Sequence, residues 1–296
     1  MTNRDRFIYT MVSFLGLACK RLPDDVLEKL NECRKTETSE LQKVVYNTYF
    51  ENFRKAIELN RPCCQDTGLL HFYIKAGASF PYLNDIQDWL SESVEIATKE
   101  IPLRPSAVNF FDEINTENGL GERIPWINWD IIPNNNKLEI TAYFAGGGCS
   151  LPGRSKVFSP SQGYEAIAEF VFDVVSNLGI NACPPVIVGI GLGENIENAA
   201  VLSKKAYLRP LEAHHPNPKG AEFEKILLEG INNIGIGAQG LRGNTYAMSV
   251  NVESSARHTG TIAAAVSIAC YAHRRGVITF DSTLDYELKY YNGVKL

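Results

Sequence analysis

Seven cysteines are the residues of this sequence best suited to chemistry. Their number is odd and their spacing is wide, whereas a secreted disulfide framework pairs an even set in a short chain. No C-x-x-C occurs, which excludes a zinc ribbon and a ferredoxin-type cluster motif. We therefore expect a reduced, intracellular protein. The cysteines are Cys19, Cys33, Cys63, Cys64, Cys149, Cys183 and Cys270.

Two short loops place a cysteine among residues that suit a site. Cys64 lies in Cys63-Cys64-Gln65-Asp66-Thr67-Gly68, where two thiols, an amide, a carboxylate and a hydroxyl are crowded together. Cys183 precedes Pro184 and Pro185, which remove two backbone donors and stiffen the chain before a predicted strand. A rigid loop suits a metal ligand, although the ordinary role of a single cysteine is that of a buried, inert thiol.

A third cysteine, Cys270, lies in a run of small residues that is followed by Arg274 and Arg275. The pattern predicts a helix over residues 261–275. The downstream cations could lower the pKa of the thiol or bind an anion. The alternative is a plain helix end whose basic residues interact favourably with the helix dipole.

Two glycine-rich segments could bind anions. Gly146-Gly147-Gly148 follows a predicted strand, Leu138–Ala145, so that its N–H groups can converge on an anion, with Arg154 and Lys156 close behind. Residues 235–240 match G-x-G-x-x-G, but a predicted helix precedes them and a predicted strand follows. That order is the reverse of the dinucleotide-binding fingerprint, so a helix end with a turn is the prediction.

His258 is the histidine best placed to act in catalysis. It lies in a polar loop, twelve residues before Cys270. A histidine can relay a proton near neutral pH, although a lone histidine is more often structural or solvated.

The composition is typical of a globular protein. The chain has 296 residues with a formal net charge of −5, 45% hydrophobic residues and 21% charged residues. Mild acidity argues against a nucleic-acid-binding protein, which needs basic residues to neutralise phosphates. The apolar stretch from Phe7 to Cys19 lacks the cleavage pattern of a signal peptide and is shorter than the roughly 20 residues that span a bilayer. We expect an amphipathic first helix and a soluble, cytoplasmic protein.

Hydrophobic periodicity predicts an α/β fold, with mixed α+β as the alternative, in which a helix-rich N-terminal part precedes strands interleaved with helices. A helix capped by Thr38 or Ser39 is expected to bury Leu41, Val44, Val45, Thr48, Tyr49, Phe53, Ala56 and Ile57. Helix 163–178, strand 186–192 and a strand over 246–252 follow. We expect a single domain over residues 1–296; if there are two lobes, their boundary lies near 102–133.

Together these segments resemble the class I, iron–sulfur fumarase and tartrate dehydratase family. The resemblance extends over nearly the whole chain. It is carried by Arg61-Pro62-x-Cys64-Gln65-Asp66-Thr67-Gly68, Gly146-Gly147-Gly148-Cys149, Asn181-Ala182-Cys183-Pro184-Pro185, His215-Pro216-Asn217-Pro218-Lys219 and Cys270-x-Ala272-His273-Arg274-Arg275.

The resemblance implies a [4Fe–4S] cluster held by Cys64, Cys183 and Cys270, with one open iron that acts as a Lewis acid on a leaving hydroxide. It also implies substrate binding by Gln65, Arg104 and Gly147, with Asp66 and His258 in catalytic roles. Pro105 departs from the fumarase residues after Arg104, and Gly147 is one choice among three glycines.

The same resemblance implies an α subunit that dehydrates L(+)-tartrate to oxaloacetate. The chain ends soon after Cys270, so we expect a separate β subunit and an α2β2 heterotetramer with its active site at the α–β interface. A two-subunit fumarase that acts on fumarate and malate is one alternative. The other is a non-catalytic electron-transfer protein, in which a fourth thiolate would close the cluster.

Overall fold

The computed structural model describes all 296 residues and contains eight α-helices and nine β-strands. The α-helices are α1 (Asn3–Lys20), α2 (Asp24–Thr36), α3 (Glu40–Glu58), α4 (Ile86–Glu100), α5 (Gly147–Ser150), α6 (Gly163–Leu178), α7 (Ile196–Leu208) and α8 (Pro218–Asn233). The strands are β1 (Leu69–Gly77), β2 (Trp126–Ile132), β3 (Leu138–Ala145), β4 (Arg154–Phe158), β5 (Val186–Gly193), β6 (Ala247–Ser254), β7 (Ile262–Ala269), β8 (Arg275–Phe280) and β9 (Tyr286–Lys289). The predicted mixture of helices and strands is confirmed.

The chain forms two compact units. The first comprises residues 1–24, 51–146 and 272–296, and the second comprises residues 25–50 and 147–271. Residues 102–133 lie inside the first unit, and the expectation of a single hydro-lyase domain stays a prediction. No helix has both the length and the apolar character needed to cross a membrane.

The first unit is built on a five-stranded sheet in the order β2-β1-β3-β8-β9. Only β1 and β2 are parallel. Helices α1 and α4 contribute Phe7, Phe14 and Leu90 to a core shared with Phe72 and Ile140 of the sheet. The predicted first helix is therefore a core helix.

The second unit is built on a four-stranded sheet in the order β4-β7-β5-β6, in which β5 and β6 are parallel. Val188 and Ile190 of β5 pack with α6 and α8 in one core. Their neighbours Gly189 and Gly191 face α7, where an added Cβ would lie 2.1 Å from Ser203 O and 1.9 Å from Ala199 O. Because side chains alternate along a strand, α7 covers the opposite face of the sheet.

The prediction of a helix over residues 261–275 is wrong. Residues 262–269 form β7, an interior strand paired with β4 and β5. Ala263 and Ala265 pack with Ala199 of α7, so these positions must be small. Alanine favours helices in isolation, but tertiary packing overrides that preference here. The plain helix end proposed for Cys270 is excluded with the helix.

The predicted buried face of α3 is correct only in part. Tyr49, Phe53 and Ala56 are buried, whereas Leu41, Val44, Thr48 and Ile57 are exposed and Val45 is half-buried. Gln42 is fully buried instead, because its side-chain amide donates to Ala238 O and accepts from Ala238 N, both at 3.0 Å. The buried face of α3 therefore includes a polar residue whose amide is fully hydrogen-bonded, and it excludes part of the apolar stripe.

Candidate functional site

In the first unit, the loop that carries Cys64 is held by hydrogen bonds on both sides. The Cys63 N–H donates to Cys19 O at 3.1 Å, and Asn52 Nδ2 donates to Cys63 O at 2.7 Å. Cys63 is buried, Cys64 is half-buried and Gln65 is exposed. The loop thus presents Cys64 and Gln65 while its preceding thiol is buried.

The Asp66 carboxylate is oriented by a tight turn. Its Oδ1 accepts the Gly68 N–H at 3.0 Å. Gly68 has a φ of +76°, and an added Cβ would lie 2.7 Å from the Ala145 carbonyl carbon, so this position requires glycine. The same carboxylate packs on Gly146, where a Cβ would meet Asp66 Oδ2 at 3.0 Å. The turn and the close approach of Gly146 therefore fix the position of this carboxylate.

Two arginines connect to this loop. The Arg104 N–H donates to Thr67 Oγ1 at 2.8 Å, which brings the exposed Arg104 close to Gln65 and Asp66. Arg274, which is 2% exposed, donates from Nη2 to Asp66 O at 2.6 Å. The sequence indicated cations after Cys270, but not that Arg274 is a buried positioning residue for the Asp66 loop.

In the second unit, Cys183 and Cys270 lie at the same end of the four-stranded sheet, named here the cysteine end. Cys183 precedes β5, Cys270 follows β7, and these strands are antiparallel, with Ile187 opposite Ala269. The Tyr271 N–H donates to Cys183 O at 3.3 Å. Cys183 has a φ of 56°, a left-handed conformation that a non-glycine residue adopts only when its surroundings impose it.

Tyr49 of α3 connects the two cysteine loops. Its ring stacks on that of Tyr271, with centroids 3.8 Å apart. Its hydroxyl donates to Pro184 O at 3.0 Å and accepts from Gln239 Nε2 at 2.7 Å. Burial raises the pKa of Tyr49, so the phenol stays neutral and acts as a donor. Sequence periodicity identified Tyr49 only as an apolar-face residue and missed Gln239.

The glycine run also reaches the cysteine end. Gly147 is exposed and begins the short helix α5. An added Cβ at Gly148 would lie 2.6 Å from Asn181 O, in the turn that leads into Cys183. The pKa of Lys204 on α7 is lowered by burial, and the nearby Cys149 sulfur only partly offsets this effect. The second unit therefore brings together Gly147, Cys183 and Cys270.

The seven cysteines divide by accessibility. None forms a disulfide; Cys183 is exposed and Cys64 and Cys270 are half-buried. The other four, Cys19, Cys33, Cys63 and Cys149, are buried. Burial raises the pKa of the Cys19, Cys33 and Cys63 thiols, which therefore stay protonated near neutral pH. No group of three or more His, Cys, Asp or Glu side chains forms a metal site within either unit.

His258 lies at the opposite end of the sheet, named here the histidine end. It belongs to the exposed loop between β6 and β7, where its Nδ1 accepts the Gly260 N–H at 3.1 Å. The eight residues of β7 separate it from Cys270, and a strand of that length spans about 25 Å. The second unit therefore does not bring His258 to its own cysteines.

A cavity of about 580 Å³ in the second unit also lies at the histidine end. Its apolar wall includes Leu192, Phe223 and Ile262, and its polar wall includes His215 and Arg257. His215 Nε2 lies 3.0 Å from Ser254 Oγ. This cavity is thus distinct from the cysteine end.

Comparison with known proteins identifies the family. The profile described as "Fumarate hydratase (Fumerase)" matches residues 9–279. This chain belongs to that family. It is 52% identical over 277 residues to the L(+)-tartrate dehydratase subunit alpha of Escherichia coli (strain K12), a match over 94% of this chain and 91% of the relative. The family member described here is a hydro-lyase.

Two further relatives show how far the similarity extends. The L(+)-tartrate dehydratase subunit alpha of Escherichia coli O157:H7 is 51% identical over the same shares of both chains. A protein of Methanocaldococcus jannaschii is 37% identical over 259 residues, which are 86% of this chain and 91% of the relative. The similarity covers both units in each case.

Proposed function

We propose that this family member is the α-type subunit of a cytoplasmic L(+)-tartrate dehydratase that produces oxaloacetate. The observation that carries the proposal is the 52% identity, over 94% of the chain, to a tartrate dehydratase α subunit. That relative is named as a subunit, so we also propose a β-type partner and an α2β2 assembly.

Cys64, Cys183 and Cys270 are the proposed ligands of a [4Fe–4S] cluster. Thiolates are the usual protein ligands of such clusters, and these three thiols are the ones that are not buried. When bound, the cluster would supply an open iron that polarises the leaving hydroxyl. The Tyr49–Tyr271 stack and the hydrogen bond from Tyr271 to Cys183 support the pairing of two ligands in the second unit.

The residues around Cys64 are suited to a dicarboxylate substrate. Arg104 is exposed, and its planar guanidinium can bind a carboxylate through two hydrogen bonds. The exposed Gln65 amide can donate to a second oxygen. In the second unit, the exposed backbone of Gly147 is a further proposed donor to substrate. Asp66, whose Oδ1 is held by the Gly68 N–H, is the proposed group for proton transfer to or from the substrate.

His258 requires a different arrangement. Because β7 separates it from Cys270, we propose that His258 acts on substrate bound by another copy of the chain. Two copies in an α2β2 assembly would make this possible.

A two-subunit fumarase is the second candidate function, favoured by the family profile, which is described as fumarate hydratase. Tartrate, the substrate of the first candidate enzyme, and malate, the substrate of the second, differ by one hydroxyl group. A site that hydrogen-bonds that hydroxyl discriminates strongly against a substrate lacking it, because its own polar groups would be left unpaired.

The test is anaerobic co-expression with the β-type subunit of the same organism, followed by turnover of L-tartrate, D-tartrate, malate and fumarate. We expect kcat/KM for L-tartrate to exceed the others by at least about 100-fold. Faster turnover of malate and fumarate would instead support the fumarase. An iron–sulfur complex that turns over none of the four would contradict both.

A further inference from the structure

Residues 107–116 of the first unit form a hydrogen-bonded hairpin, named here the Phe110–Phe111 hairpin. The Asn109 N–H donates to Ile114 O at 2.9 Å, and the Thr116 N–H donates to Ala107 O at 3.0 Å. Asn115 Nδ2 donates to Pro105 O at 2.6 Å. Ala107 is buried at its base. The hairpin is therefore an ordered element and not an unstructured loop.

The hairpin holds apolar side chains in water. Phe110 is 88% exposed and Phe111 is 95% exposed, and their ring centroids are 5.5 Å apart. Val108 and Ile114 are exposed on the same short segment. Isolated exposed apolar residues are common, but a contiguous group rimmed by polar residues marks an interaction surface. Paired aromatic side chains are the typical anchors of such surfaces.

The charge around the hairpin indicates the chemistry of its partner. Asp112, Glu113, Glu117 and Glu122 are exposed, and no lysine or arginine lies between residues 105 and 122. The complementary surface is an apolar pocket with a basic rim. A second copy is disfavoured, because a two-fold contact through this hairpin would bring identical acidic residues together. The chain as a whole also carries a net charge of −5.

The position of the hairpin indicates which protein this partner is. Arg104 directly precedes it, and the Arg104 N–H is bonded to Thr67, the residue after Asp66. The base of the hairpin is therefore adjacent to the Gln65–Asp66 loop, so that a protein seated along the hairpin can extend side chains towards that loop. A subunit that completes the active site must approach these residues.

From these observations, we propose that the Phe110–Phe111 hairpin is the docking surface for the β-type subunit, which receives the two phenyl rings in an apolar pocket with a basic rim. The inference rests on the proposed function for the existence of that subunit. The inference adds the surface of this chain that binds the β-type subunit.

The test measures binding of the full-length chain to the β-type subunit by anaerobic surface plasmon resonance. We expect Phe110→Ser with Phe111→Ser to raise the Kd by about 100-fold or more. Asp112→Lys with Glu113→Lys should slow association at low salt by about 10-fold. Tyr9→Ser is the matched control, since Tyr9 is 66% exposed on α1 of the same unit, and it should leave the Kd unchanged. Urea unfolding of each variant checks that the chain remains folded.

The possible failures are distinguishable. A wild-type Kd in the double phenylalanine variant overturns the docking surface and leaves the proposed enzyme intact. The chain alone could instead prove to be a dimer that the double phenylalanine variant converts to a monomer, with β-subunit binding unchanged. That result overturns the β-subunit docking surface and shows that the hairpin mediates self-association. A wild-type chain that does not bind the β-type subunit overturns both the partner and its docking surface. A bound pair that fails to turn over tartrate overturns only the proposed substrate.

Discussion

The two ends of the four-stranded sheet in the second unit have different structures. At the cysteine end, Cys183 and Cys270 are connected by Tyr49, Tyr271 and Gln239, and Gly148 packs against the turn before Cys183. At the histidine end, His258 lies in an exposed loop beside an open cavity of about 580 Å³. Side-chain and backbone contacts connect the loops at the cysteine end, whereas the loop at the histidine end is exposed beside a cavity.

The largest expected effect lies at the cysteine end. Cys183→Ser and Cys270→Ser should each abolish cluster assembly, because a serine oxygen is a poor ligand for iron–sulfur iron compared with a thiolate. Cys64→Ser should do the same. Iron and acid-labile sulfide analysis of the anaerobically purified chain is the measurement.

Cys33→Ser is the matched control for these variants, since Cys33 is buried in α2. It should retain a full cluster, as should Cys19→Ser. A full cluster in the Cys64, Cys183 and Cys270 variants would disprove the ligand assignment. Loss of the cluster in Cys63→Ser or Cys149→Ser as well would identify a fourth thiolate ligand and favour the electron-transfer alternative.

The second prediction concerns the histidine end. His258→Ala should lower kcat/KM of the assembled enzyme by about 100-fold, the usual contribution of a proton-transfer group. Cluster content and stability should not change, because the side chain is exposed and the eight residues of β7 separate it from Cys270. Metal analysis and steady-state kinetics of one preparation give both quantities.

Hybrid assemblies test whether His258 acts on substrate bound by its own chain or by another copy of the chain. Differently tagged His258→Ala and Cys270→Ser chains should regain activity when co-purified, because one cluster is then served by an intact histidine. Hybrids that stay as inactive as either parent would exclude this arrangement.

The sequence predicts periodic elements well and inter-element geometry poorly. Helix 163–178 and strand 186–192 match α6 and β5 closely, because their apolar periodicity matches their burial. The alanine-rich β7 was predicted as a helix, which rises about 1.5 Å per residue, whereas a strand rises about 3.4 Å. That error conceals the separation of His258 from Cys270.

In the candidate site, too, the sequence revealed the chemically unusual residues but not the residues that position them. Loop chemistry selected the Cys64, Cys183 and Cys270 segments as the predicted ligand loops, since unusual residue types are visible in a sequence, and that assignment stays a prediction. The residues that position those loops were missed. Arg274, Gln239 and Tyr49 make hydrogen bonds to residues distant in sequence, and such contacts leave no periodic pattern.

The third prediction tests the rigidity of the cysteine end. Gly148→Ala should destabilise the chain by about 1–3 kcal/mol and increase cluster loss, because its Cβ would lie 2.6 Å from the Asn181 carbonyl oxygen. Gly260→Ala is the control at the histidine end, where the nearest atom is the movable His258 ring at 3.3 Å. In urea unfolding, the control should lose less than about 0.5 kcal/mol of unfolding free energy. Equal losses at the two positions would show that the cysteine end is no more rigidly packed than the histidine end.

The smallest expected effect comes from removing one hydroxyl group. Tyr49→Phe keeps the stack on Tyr271 but leaves Gln239 Nε2 without its acceptor. A lost buried hydrogen bond costs about 1–2 kcal/mol. Tyr164→Phe, at an exposed tyrosine that lines the cavity of the histidine end, should cost nothing measurable.

Urea unfolding of the full chain measures both tyrosine variants, and the rate of iron loss to a chelator measures the effect on the ligand loops. Tyr49→Phe should release iron faster than wild type, because Pro184 O, directly after Cys183, loses one of its two donors. A variant that is less stable but releases iron at the wild-type rate would show that Tyr49 stabilises the unit without positioning Cys183. The rigidity of the cysteine end would then come from the backbone of the Cys183 loop itself.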